Sequence, residues 1–304
     1  MFHIRANRGR GDAPARQGAR PGTRDLGQYR ASDGVRIAYR DEGAGRPLVF
    51  LHGLLAHKDF FREQQALALD FRVIRVDLRG HGESVAPAEG LTVERLAEDV
   101  AGLVEALDLR GAIGIGWSLG ASVLWHVLAG AAADRFDGAV IVDMTARVMN
   151  DESWSLGLDP DACEARSSAM KDDFAAFAGQ AGQAIFAQPL SAERRADADY
   201  ASAEFARNDP AAIAALWQSL VALDARPLLG RVDHPTLVIH GAKSQLYDAA
   251  TADHLVRALP NARAVEFAAS GHAPQIEEPE LFNRIITAFA DELSRASEPQ
   301  KLKI

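Results

Sequence analysis

Short, uninterrupted apolar runs alternate with longer amphipathic stretches along most of the chain. "PLVFL" (47–51), "AIGIG" (112–116), "GAVIVD" (138–143) and "TLVIH" (236–240) are nearly free of polar positions, and "FRVIRVD" (71–77) is apolar at four of seven. Runs of this length without alternation predict strands buried on both faces, as in parallel sheets. Upstream, "QYRASDGVRIAYRDEG" alternates and turns at Asp33-Gly34, a hairpin signal. Apolar positions at helical spacing predict helices over 57–69, 92–107, 118–132, 248–259 and 279–293, with a further strand at "ARAVEF".

The alternation predicts an α/β fold with a mostly parallel, eight-stranded sheet covered by helices. It stops between residues 145 and 230. That stretch carries no strand signal, only helical runs broken near Pro160, Pro189 and Pro210. A helical insertion between two strands is expected to form a lid over the strands' C-terminal ends, where open α/β sheets bind ligands. The expected organisation is an extension at 1–27, a core from 28–144 and 231–304, and a lid at 145–230.

Composition narrows the partners. The net charge is −9, which argues against nucleic acid, whose phosphates need a basic face. The single cysteine, Cys163, excludes an internal disulfide and a cysteine-based zinc cluster. No apolar run approaches the roughly 18 residues of a membrane helix. The first residues, "MFHIRANRGRGDAPARQGARPGTRDLGQ", are rich in Arg, Gly and Pro and lack the apolar segment of a secretory signal. They read as a disordered extension. The expectation is a cytoplasmic protein without a membrane partner.

One pentapeptide carries chemistry. Gly116-Trp117-Ser118-Leu119-Gly120 lies between a predicted strand and a predicted helix, the context that a G-x-S-x-G nucleophile turn requires. Small residues two positions to each side relieve backbone crowding, and the helix N-terminus favours developing negative charge. A free serine hydroxyl is a weak nucleophile and needs a base. His272, behind Gly271 and after the last strand, is expected to supply it. The backbone N–H groups of Leu54 and Leu119 are expected to form an oxyanion hole, each worth roughly 3 kcal/mol. His57, His81, His126 and His240 receive no role. Trp117 and Leu55 are expected beside the substrate.

Together "LHGLL", "DLRGHGES", "GWSLGA", "PTLVIHG" and "SGHAPQIEEP" resemble, in order and spacing, the α/β-hydrolase superfamily over about residues 28 to 295. The turn at Ser118 is similar to that of bacterial serine carboxylesterases. The resemblance implies a Ser–His–acid triad acting without a metal or cofactor, and a mainly structural role for Asp77, Arg79, His81 and Ser84. In most relatives the acid stands three residues after the glycine of "TLVIHG", where this chain has Ser244. Three readings remain: Asp143, at the end of "GAVIVD", a position some members use; Asp248, which also suits a helix cap; or no acid at all. Asp143 is the preferred reading, because a lone buried carboxylate at a strand end is costly without a partner.

The expected activity is hydrolysis of a small or apolar carboxylic ester through an acyl-enzyme. Lactone opening, C–C hydrolysis and a biosynthetic acyl transfer or cyclisation are alternatives on the same triad, and a ligand-binding protein reusing the pocket is the non-enzymatic one. Between Asn150 and Gly230 there are 13 Asp and Glu against 6 Lys and Arg. That excess disfavours an acidic carrier protein as the substrate's bearer, although related esterases act on pimeloyl-carrier esters.

Overall fold

The computed structural model describes residues 25–297. Its sheet has eight strands in the order β1-β2-β4-β3-β5-β6-β7-β8. β1 (Asp25–Arg30) and β2 (Arg36–Gly43) form the antiparallel hairpin, and β2 runs antiparallel to β4 (Arg72–Val76). The others, β3 (Pro47–Leu51), β5 (Ala112–Trp117), β6 (Phe136–Val142), β7 (Thr236–Gly241) and β8 (Ala262–Phe267), pair in parallel. Every residue of β3, β5 and β7 is buried, which is why their sequences show no alternation.

β1 takes in residues 25–27, placed with the extension in the sequence reading, because their backbone pairs with residues 39–41 of β2. The rest of that extension lies outside the described residues. The first helical stretch also differs. Lys58–Leu69 is a 3-10 helix broken at Phe61, whose φ and ψ are −110° and 27°. Two consecutive aromatics, Phe60 and Phe61, sit at the break and pack against different parts of the core. Phe60 stacks on Phe205 at 5.4 Å between ring centres, while Phe61 packs on Phe50 at 5.0 Å.

Helices cover the sheet. α1 (Val93–Ala106) buries Leu96, Val100 and Leu103 on one face and is capped by Thr92, which accepts from the Arg95 N–H. α2 (Leu119–Leu128) is buried nearly all round behind β5. After β6, the chain forms α3 (Pro160–Asp172), α4 (Phe174–Ala184), α5 (Arg195–Phe205), α6 (Pro210–Ala222) and the short α7 (Arg226–Leu229) before returning to β7. Pro160 and Pro210 open α3 and α6, as proline at a first helical position does. α8 (Ala249–Ala258), the single turn α9 (Pro274–Glu277) and α10 (Pro279–Ser297) complete the chain. Among the described residues no helix is long and apolar enough to cross a membrane.

Candidate active site

Ser118 sits at the junction of β5 and α2 with φ 53° and ψ −120°, a strained geometry for a residue with a side chain. Its neighbours make the turn possible. A Cβ on Gly120 would lie 2.1 Å from the Leu51 carbonyl oxygen, and one on Gly116 would lie 2.5 Å from that of Gly120. Only glycine lets these backbones approach so closely. The Ser118 N–H donates to the Val142 carbonyl at 3.0 Å, fixing the turn to the end of β6.

His272 follows β8 and is 3% exposed. Its Nδ1–H donates to Asp143 Oδ2 at 2.5 Å, which leaves Nε2 as the ring's acceptor. The Trp117 indole N–H donates to the His272 carbonyl at 2.7 Å, tying the loop to the residue beside Ser118. Asp143 lies one residue past β6 with φ 44° and is buried. Its Oδ2 also accepts from the Ser244 hydroxyl at 2.7 Å, and its Oδ1 from the Gly241 N–H at 3.4 Å. The position that lacks the expected carboxylate therefore supplies a donor to the carboxylate one strand over. Asp248 is engaged elsewhere. It caps α8, accepting from the Thr251 N–H at 3.2 Å.

Ser118, His272, Trp117, Leu54 and Leu55 line one cavity, roofed by side chains from α3, α4, α5 and α6. Of the aromatics in the helical stretch, Phe177, Phe205 and Trp217 reach that wall; Trp154 donates to the Arg147 carbonyl outside it. Leu119 is the first residue of α2, so its N–H has no partner within the helix. The Leu54 N–H has no acceptor among the described residues, and its carbonyl neighbour Gly53 is held by the buried His52, whose Nδ1–H donates to it at 2.8 Å. Leu55, with φ 71°, donates its N–H to His81 Nε2 at 3.3 Å. Burial keeps both imidazoles neutral, lowering His81 to about 4 and His52 well below its ordinary value.

The "DLRGHGES" loop is a bracket. Asp77 accepts from the Lys58 N–H at 2.7 Å, the Lys58 ammonium at 2.8 Å and the Glu83 N–H at 2.9 Å. Arg79 forks onto Asp99, and Ser84 bridges the Asp77 carbonyl and the Ala38 N–H. Glu277 carries no role in the sequence reading. Its buried carboxylate accepts from the Gly271 N–H and the Ala187 N–H, so it joins the His272 loop to the helical segment. Burial raises its pKa, partly offset by those two donors.

The α/β hydrolase fold model matches residues 46–279, and the chain belongs to that family. A non-heme chloroperoxidase of Streptomyces lividans is 31% identical over 280 residues, covering 87% of this chain and 99% of that protein. An esterase from Rhodococcus is 29% identical with a TM-score of 0.78, covering 88% and 99% of the two chains. An esterase from Exiguobacterium antarcticum shares the fold at a TM-score of 0.82 and 24% identity, covering 87% and 98%.

Proposed function

We propose that the protein is a serine hydrolase that cleaves a small, largely apolar carboxylic ester. One observation carries the reading: a buried imidazole, bonded through Nδ1 to a buried carboxylate at 2.5 Å, shares a cavity with a serine held in a strained strand-to-helix turn. Ser118 Oγ attacks the ester carbonyl while His272 Nε2 takes its proton. Asp143 keeps the imidazole in the required tautomer and stabilises the imidazolium that forms. The Leu54 and Leu119 N–H groups receive the oxyanion. The alcohol leaves with the proton from His272, and water, activated by the same imidazole, releases the acid. The helical segment 145–230 acts as a lid that excludes bulk water and supplies the apolar wall. An esterase among the solved structures of similar fold supports an ester as the substrate.

A fluorophosphonate probe and a short p-nitrophenyl ester test this together. The wild type is expected to label at Ser118 and to turn over the ester, and Ser118→Ala to lose labelling and at least ~10⁴ of kcat. An unlabelled wild type with no turnover on any acyl length would replace the hydrolase with a binding protein.

A further inference from the structure

The cavity over Ser118 is apolar almost throughout, with Leu158, Met170, Phe177, Ile185, Phe205 and Leu220 in its wall. Arg166, on α3, is the one Lys, Arg, Asp or Glu among the described residues that line it. It has no ion pair and no hydrogen bond within the described residues. Of the other cations in the same helical segment, Arg194, Arg207 and Arg226 pair with Asp197, Glu204 and Asp224, while Lys171 and Arg195 are exposed to solvent. Arg166 is partly buried at this apolar wall, and with no partner among the described residues its guanidinium is left able to meet an anionic ligand.

A second donor lines the same cavity. Tyr247 follows the β7 turn, its ring edge-on to His272 at 6.1 Å between centres. Its hydroxyl makes no hydrogen bond among the described residues. Burial and the Asp143 charge raise the phenol's pKa while Arg166 opposes them, so the hydroxyl stays protonated and can donate, and the guanidinium acts at its position. The wall thus offers a forked cation and a phenolic O–H to the same cavity, close enough for the guanidinium charge to act on the phenol.

We propose that Arg166 and Tyr247 hold a carboxylate remote from the scissile bond, so that the substrate is a mono-anionic ester or lactone with its acyl carbon at Ser118. This rests on the serine hydrolase reading and names its substrate class. A guanidinium matches a carboxylate in shape and in charge, two parallel N–H···O bonds to one unit of negative charge. One cation is too little for a polyanion, and the acidic excess of the helical segment, 13 acidic to 6 basic residues, works against one as well. The apolar wall between the two ends suits the methylene chain of a dicarboxylic acid half-ester.

The test compares monoethyl esters of succinic, glutaric, adipic and pimelic acids with ethyl alkanoates of equal length. For at least one length the wild type is expected to favour the anionic ester in kcat/KM by ~10-fold or more. Arg166→Met is expected to bring that ratio close to one, Arg166→Lys to recover part of it, and Tyr247→Phe to lower it a few-fold. Calorimetry on Ser118→Ala gives a second readout: it should bind the preferred monoethyl ester, and Ser118→Ala with Arg166→Met should not. Equal kcat/KM for neutral and anionic esters at every length overturns the carboxylate site and leaves the hydrolase standing, provided Ser118 still labels. If Ser118 neither labels nor turns over any ester, the hydrolase reading fails, and the calorimetric pair alone decides whether a carboxylate binds at Arg166. Should Arg166→Met not fold by circular dichroism, Arg166→Gln replaces it in both arms.

Discussion

Three of the four buried histidines among the described residues, His52, His81 and His272, follow the C-terminal ends of β3, β4 and β8, and they differ in what they face. His52 and His81, on the β3–β4 flank, bond only to backbone: the Gly53 and Arg79 carbonyls through Nδ1, the Leu78 and Leu55 N–H groups through Nε2. His272, on the β6–β8 flank, faces a carboxylate. Burial alone penalises the imidazolium, so the first two serve as neutral brackets that shape the Leu54–Leu55 turn. An adjacent negative charge offsets that penalty, and only such a histidine suits a proton taken up in mid-reaction. The type of residue and its depth are shared; the partner separates a fixture from a candidate base.

The sharpest way to break this contrast is to remove the charge. Asp143→Asn keeps the shape and is expected to lower kcat by about 10⁴, measured on the p-nitrophenyl ester. Asp248→Asn serves as the control: it should leave kcat within about two-fold and cost about 1 kcal/mol of stability through the lost cap, read from denaturant unfolding. If Asp143→Asn keeps a near-wild-type rate, His272 is no different from the two brackets.

The brackets are tested by acid. The folded-state pKa of His81 is lowered to about 4 from 6.5, so the unfolded chain binds the extra proton first as pH falls. Stability is therefore full above pH 6.5 and declines toward pH 4, by about 3 kcal/mol from His81, with His52 acting in the same direction. His81→Gln retains an acceptor and cannot be protonated there, so chemical denaturation across that window should show a shallower slope. An unchanged slope would mean that His81 is not buried as a neutral ring.

The smallest effect sharpens the acid's address. Ser244→Ala removes one donor to Asp143 while the His272 and Gly241 bonds remain, and a loss of about ten-fold in kcat is expected. Because Ser244 Oγ lies 2.7 Å from the acid, Asp143→Ala combined with Ser244→Asp should recover at least ten-fold over Asp143→Ala alone. No recovery would show that the β7 end cannot present a carboxylate to His272.

Much of this was legible in the residues. The strands of a sheet buried on both faces announce themselves as unbroken apolar runs, and Gly116 and Gly120 mark a turn that no other residue fits. Ser118 and His272 follow from motifs whose chemistry dictates local spacing. The rest depended on distance in space. Phe60 and Phe61 read as part of an α-helix because their partners, Phe205 and Phe50, are remote in the chain. Ser244 read as a missing acid because its partner stands 101 residues earlier. Glu277 lies within "SGHAPQIEEP" and Arg166 within no motif; one matters through two backbone N–H groups from separate segments, the other through having no partner among the described residues.

The sequence by itself determined the order of strands and helices, the strained serine turn and the placing of His272 after the last strand, since hydrophobic period and glycine sterics act over a few residues. Tertiary structure decided which carboxylate meets His272, which histidines are brackets, and which arginine is left facing an apolar cavity. Those outcomes depend on Coulomb and hydrogen-bond partners within about 3 Å, and the parallel crossovers bring such atoms together from a hundred residues apart.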